Sequence, residues 1–218
     1  PPNRSSMVGG EAQRLSFREI DRLSDKQAHI LFDLGIRQGD KAVVQMPNVV
    51  EIVLTYFAAS KLGLVLSPVA MQYGKFELTY IDETLLPKAY IAFEDFISDN
   101  YGRANSECFR KECQSVILDG GDWSSQEVDN WSSFQFYLRT REIDANDIFT
   151  ICWTSGTTGR SKGVPRSYNH WLSSTLASED AIRLSKGAIM LNPFPLLLGP
   201  RPLPLSCLLY PSPSPRDS

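Results

Sequence analysis

The chain has 218 residues, 22 Lys and Arg against 25 Asp and Glu for a formal charge of −3, and 42% hydrophobic residues. That length can bury a core of its own, the scattered basic residues exclude a nucleic-acid stripe or an anionic-membrane face, and no apolar run approaches the roughly 20 residues of a membrane helix. Four cysteines, Cys108, Cys113, Cys152 and Cys207, show no C-x-x-C pairing, which fits a reducing compartment, and the opening PPNRSSMVGG is no signal peptide.

In chain order, Ser16 and Glu19 form a capping box ahead of Phe17, Ile20, Leu23, Ile30, Leu31 and Leu34, which recur at helical spacing until Gly35. His29 on this helix is expected to be a surface or interface residue, with no partner group one turn away. Lys41 to Met46 is β-branched and ended by Pro47, the pattern of a strand. Asn48 is placed to cap a second helix, Val49 to Leu62, which is apolar on nearly every side and so belongs between a sheet and another layer. Gly63 ends it and Leu64 to Ser67 is the next strand.

The alternation continues with a helix at Lys75 to Leu85, a strand at Ala89 to Phe93, a helix at Gly102 to Glu112 and a strand at Val116 to Leu118. Strands and helices in this order predict an α/β fold of βαβ units with a largely parallel sheet. Cys108 and Cys113, five apart on the second of the helices after Gly63, would point away from each other and carry no metal. Asp119 to Ser133 is polar and suggests a surface excursion, and Asp144 to Asp147 is a turn with a capping role. Beyond it come a strand at Ile148 to Trp153, an extended Val164 to Ser167, a helix from Tyr168 to Arg183 and a buried strand at Ala188 to Leu191.

Between the strand and the extended segment lies Thr154-Ser155-Gly156-Thr157-Thr158-Gly159-Arg160-Ser161-Lys162-Gly163. Its glycines allow positive φ, and its hydroxyls and successive N–H groups can converge on one anion, with Lys162 and Arg160 adding positive charge. The spacing is not that of a Walker loop, because counted from Gly156 the glycine before the lysine is replaced by Ser161 and the Ser or Thr after it by Gly163, nor does it contain G-x-G-x-x-G. Eight of the 14 prolines, Pro193, Pro195, Pro200, Pro202, Pro204, Pro211, Pro213 and Pro215, crowd the end of the chain. From Gly199 no period survives, so 199–218 is expected to be a disordered or non-native tail, as 1–14 is a disordered start.

The ten-residue loop resembles the phosphate-binding signature of the adenylate-forming enzymes, [ST]-[ST]-G-[ST]-T-G-x-P-K-G, at every position except Ser161, where that superfamily carries proline. A second stretch is similar to the same family: LFDLGIRQGD from Leu31 to Asp40, then Pro47-Asn48, Glu51 and Lys61-Leu62-Gly63 through Pro68. The resemblance implies an N-terminal fragment, with 15–198 as part of an adenylation domain, the chain's start upstream of Pro1, and no ligase activity from the fragment alone. It implies ATP with Mg²⁺, a small carboxylate as substrate and coenzyme A as acceptor. Thr154, Ser155, Gly156, Thr157, Thr158, Gly159, Lys162 and Gly163 would bind the ATP phosphates, without a protein metal site. Tyr168 stands where the family commonly has histidine, and neither it nor His170 inherits a role. The compartment would be cytoplasmic or otherwise reducing, the peroxisome included. A non-catalytic nucleotide-binding remnant and a generic P-loop hydrolase are the competing readings.

Overall fold

The computed structural model of the chain describes residues 14–96, 100–118, 131–154, 161–182 and 196. The expected strand at Ala188 to Leu191, most of the polar stretch after Asp119 and the Pro-rich residues from Gly199 lie outside them. The first helix, α1 (Phe17–Asp33), starts as its capping box dictates: Glu19 N donates to Ser16 Oγ at 3.3 Å and Ser16 N donates to Glu19 Oε2 at 2.7 Å. The Ser16 hydroxyl, which donates to Glu19 Oε2 at 2.7 Å, and after it the Ser16 N–H hold the Glu19 carboxyl below its ordinary range. Gly35, at φ +80°, takes the left-handed turn that follows.

Strands β1 (Lys41–Gln45), β2 (Val65–Pro68), β3 (Ala89–Phe93), β4 (Gln114–Leu118) and β5 (Ile148–Thr154) are all parallel to their neighbours, and β6 (Lys162–Ser167) runs antiparallel to β5 at one edge. Their order across the sheet is β4-β3-β1-β2-β5-β6. The sheet is therefore the mostly parallel one expected from the alternation of elements. The interleaved helices are α2 (Val50–Leu62), α3 (Lys75–Leu85), α4 (Tyr101–Ser106), α5 (Trp131–Thr140) and α6 (Tyr168–Ile182).

Helix α2 is the middle layer its apolar sequence demands. Ile52, Tyr56 and Ala59 pack with Val44, Leu66 and Ile91 of the sheet, while Gln27 of α1 donates to Thr55 at 2.7 Å and Lys61 donates to Asp21 and Asp25, each at 2.7 Å. The opposite face of the sheet, Val43, Tyr90 and Ala92, is covered by Leu78, Ile81 and Leu85 of α3 and by Phe109.

Four expectations need correction. Asn48 does not cap α2: Val49 holds the cap position without a side-chain bond, and Asn48 Oδ1 instead accepts from Leu196 N at 2.8 Å. The helix expected over Gly102 to Glu112 covers only Tyr101–Ser106, because Phe109 turns in to stack on Tyr90 at 4.5 Å and Arg110 is drawn to Asp82 and to the Pro87 carbonyl. Cys108 and Cys113 therefore lie beyond the helix, with Cys113 buried.

The excursion expected to run to Ser133 ends earlier, in α5, whose Phe134 is fully buried against α1. That helix changes the setting of His29. The imidazole is fully buried, stacked on Phe134 at 4.8 Å and edge-on to Trp131 at 5.0 Å, and Asp33 does stand one turn away with Oδ1 3.6 Å from Nε2.

Candidate functional site

In a doubly wound sheet, ligands bind beyond the carboxyl ends of the parallel strands. Strand β5 delivers its polar loop there. Its apolar half is fixed first: Phe149 is buried among Tyr56, Tyr168 and Trp171, with the Tyr168 ring parallel to it at 4.6 Å. Trp171 Nε1 donates to Thr150 Oγ1 at 2.8 Å, tying α6 to the same strand. Burial raises the Cys152 thiol above its ordinary pKa, so it stays a protonated packing group.

At the carboxyl end, Trp153 Nε1 donates to Ser67 Oγ at 2.7 Å and its ring meets Tyr80 of α3 edge-on at 6.1 Å. The loop thus leaves β5 from a point anchored to β2 and α3. Neither Trp153 nor Ser67 is singled out by the sequence pattern; a tryptophan ending a buried strand is the only signal for it.

The two ends of the loop are paired. Thr154 lies opposite Lys162 in the β5–β6 ladder, and Thr154 Oγ1 donates to the Lys162 carbonyl at 3.4 Å. Both side chains are exposed at the sheet's end. Gly163 is opposite Trp153, and a Cβ there would stand 2.9 Å from Ile151 Cγ2 and 3.5 Å from the Trp153 ring. A glycine at this position answers to that close approach. Of the candidate phosphate residues, the structure brings Thr154, Lys162 and Gly163 to one hairpin end, and Ser155, Gly156, Thr157, Thr158 and Gly159 lie outside the described residues.

The direction of β6 separates this loop from a Walker loop. In the latter a helix begins at the phosphates and points its free N–H groups at them. Here the chain returns along β6 to the opposite end of the sheet before α6 starts. The first N–H groups of α6 are already taken: Tyr168 N donates to the Asp147 carbonyl at 3.3 Å, Asn169 N to the Ala145 carbonyl at 2.9 Å and His170 N to Ser167 Oγ at 3.3 Å. The Asp144–Asp147 turn has the capping role expected of it, reinforced by Asn169 Nδ2 donating to Asn146 Oδ1 at 2.8 Å. The P-loop hydrolase reading lacks its helix terminus.

Among the described residues no three His, Cys, Asp or Glu side chains converge as a metal site, and no helix is long and apolar enough to cross a membrane.

Comparison with known proteins agrees with this geometry. The 2,3-dihydroxybenzoate-AMP ligase of Bacillus subtilis is 27% identical over 220 residues, 93% of this chain and 40% of the relative. The medium/long-chain-fatty-acid–CoA/3-oxocholest-4-en-26-oate–CoA ligase of Mycobacterium marinum is 28% identical over 173 residues, 75% of this chain and 31% of the relative. The crystal structure of the N-terminal domain of FACL13 from Mycobacterium tuberculosis superposes with a TM-score of 0.65 at 25% identity, covering 85% of this chain and 45% of that one. The chain thus spans less than half the length of these relatives. The model of the AMP-binding enzyme family matches residues 1–198, and the chain belongs to that family of adenylate-forming ligases.

Proposed function

We propose that the chain carries the phosphate-gripping part of an ATP-dependent acid–thiol ligase, which joins a small carboxylate to the α-phosphate of MgATP and passes the acyl group to coenzyme A. The observation that carries this reading is the hairpin end where Thr154 and Lys162 close a loop of Gly, Ser and Thr beyond β5. Thr154, Ser155, Gly156, Thr157, Thr158 and Gly159 wrap the β- and γ-phosphates, and the exposed ammonium of Lys162 offsets their charge. Gly163 contributes by letting β6 approach Trp153.

The chemistry fits the residue types present. A carboxylate is already ionised at neutral pH, so its attack on phosphorus needs no Ser-His-Asp or Cys-His constellation. The demand is for orientation and for stabilising charge on the phosphates. Magnesium enters as part of the substrate, held mainly by phosphate oxygens and water. Coenzyme A as acceptor draws support from the relative named as a CoA ligase. The relative named as an AMP ligase leaves another thiol as the alternative. The adenylation segment is 15–198, the Pro-rich 199–218 is dispensable, and the free, buried Cys113 and Cys152 suit a reducing compartment.

Titration of MgATP into the chain and its Lys162→Ala variant tests the placement. A charge-assisted contact to phosphate is worth about 1.5 to 3 kcal/mol, so the variant should bind about tenfold to a hundredfold more weakly. Equal affinities, with the variant's circular dichroism unchanged, would remove Lys162 from the site.

A further inference from the structure

His170 and Ser167 stand close enough to suggest a nucleophile and its base, with Ser167 Oγ 3.4 Å from His170 Nδ1. The hydrogen bonds exclude that use. His170 Nδ1 accepts from the Ser167 backbone N–H at 3.2 Å, and His170 N donates to Ser167 Oγ at 3.3 Å. The lone pair a base would need is committed to the backbone, which also places the neutral ring's proton on Nε2. The two bonds form a capping box in which histidine takes the place usually held by Glu or Gln.

That box sits where it can set the register of the hairpin. Strand β6 ends at Ser167 and α6 begins at Tyr168 with no linker. Ile148 pairs with Ser167, and the ladder then shifts register between Ile148 and Thr150. From Thr150 and Arg166 to Thr154 and Lys162 it proceeds one residue at a time. A slip of one residue in a strand turns every side chain to the other face. Ser167 is the last residue of β6 paired with β5, and the N–H groups that follow it, of Tyr168 and Asn169, are held by the Asp147 and Ala145 carbonyls just ahead of β5, so the geometry at Ser167 bears on the register carried along β6 to Lys162.

We propose that His170 is a positioning residue: with Ser167 it clips the start of α6 to the end of β6 and so fixes the register that presents Lys162 to the phosphates. The inference rests on Lys162 being the phosphate group, but its test does not, because it reads the hairpin itself.

Hydrogen–deuterium exchange of the whole chain provides that test, comparing β6 with β1. His170→Ala should exchange about fivefold faster than the parent over residues 162–167, with Lys41 to Gln45 unchanged, since losing a cap shifts a local opening equilibrium by about that factor. His170→Glu, which restores an acceptor at the same helical position, should return close to the parent rate. Acceleration confined to Tyr168–Ile182, or a His170→Glu chain as fast as His170→Ala, would overturn the proposal. Ser167→Ala removes one bond of the pair and is measured alongside, so that a His170→Ala chain that opens as a whole does not shelter the idea. Without a selective rise over 162–167 in Ser167→Ala, the proposal fails. Loss of MgATP binding in Lys162→Ala bears on the ligase reading alone and leaves this exchange pattern as it is.

Discussion

The side-chain oxygen of Asn48 accepts the backbone N–H of Leu196 at 2.8 Å, across 148 positions of sequence. Tyr56 completes the grip by donating its hydroxyl to the Leu196 carbonyl at 3.3 Å. Asn48, just ahead of α2, and Tyr56, in the middle of it, thus hold both backbone groups of one distant residue. Asn48→Ala leaves the Leu196 N–H without this acceptor and should cost about 1 kcal/mol in urea denaturation. Asn48→Asp keeps the oxygen and should stay within about 0.5 kcal/mol of the parent. An Asp variant as unstable as the Ala variant would mean that the bond is not what Asn48 contributes.

Among the described glycines, Gly102 is where one methyl group does the most harm. Its N–H donates to the Glu94 carbonyl at 2.9 Å, which brings α4 against the end of β3. A Cβ would lie 2.1 Å from the Phe93 carbonyl oxygen and 2.8 Å from its carbon. Backbone cannot swing aside as a side chain can, so Gly102→Ala should cost about 3 kcal/mol or more. At Gly163 the obstacle is Ile151 Cγ2 at 2.9 Å, and Gly163→Ala should cost about 1 to 2 kcal/mol. Denaturation midpoints in the reverse order would contradict this ranking.

Periodicity located the elements wherever the sequence obeys one period at a time. Helix α3 and strand β3 fall on their expected residues because their ends carry Gly74 and Pro87 and their interiors follow a single pattern. Helix α5 escaped because Trp131, Ser132 and Ser133 begin it in a polar stretch, while its buried face is supplied by Phe134 and by Tyr137, whose hydroxyl accepts from Gln38 N at 2.7 Å. Nothing local announces a helix whose reason for forming is α1. The same holds for His29, whose burial is decided by Phe134, and for Asn48, whose partner is Leu196. The phosphate-loop reading rests on residue types in the sequence alone, whereas the Trp153–Ser67 bond and the Ser167–His170 contact depend on neighbours that only the fold brings together.

Alkaline conditions should weaken the fold through groups that cannot ionise in place. Burial, with Asp82 adding to it, pushes the Cys113 thiol up to about 12, and burial pushes the Tyr101 phenol up to about 12. Burial also raises Tyr56 and Tyr90. Each group is protonated in both states below its unfolded value, roughly 8.5 for Cys and 10 for Tyr. Above that value the unfolded chain loses protons that the folded one retains, so stability is present at neutral pH and declines as pH rises toward 12. Urea midpoints should be level from pH 7 to 8 and fall between pH 9 and 11, with a shallower first decline in Cys113→Ala. A flat profile across that range would show that these groups ionise without leaving the fold.

Gln45 should tolerate substitution least among the polar residues of the sheet. It is fully buried at the carboxyl end of β1, beside β3, where the strand order reverses. Its Nε2 donates to the Ala70 carbonyl at 2.9 Å and the Tyr73 carbonyl at 3.0 Å, while its Oε1 accepts from Tyr90 OH at 2.7 Å and Asn105 Nδ2 at 3.2 Å. Every hydrogen-bonding site of the amide is used. Gln45→Ala leaves two carbonyls, a phenol and an amide without these partners, at a cost of about 3 to 5 kcal/mol. Gln45→Glu keeps the shape but turns a donor into a second oxygen facing two carbonyls. Burial and those carbonyls disfavour the ionised form, so the introduced carboxyl should have a folded pKa above its unfolded value of about 4.3. The variant is then least handicapped when the carboxyl is protonated, and its deficit grows as pH rises through the folded pKa. Urea midpoints of parent and variant at pH 4.5 and pH 7.5 measure that deficit twice. A deficit that is the same at both values, or larger at pH 4.5, would mean that the carboxyl reaches solvent and that the amide's four bonds do not hold this end of the sheet.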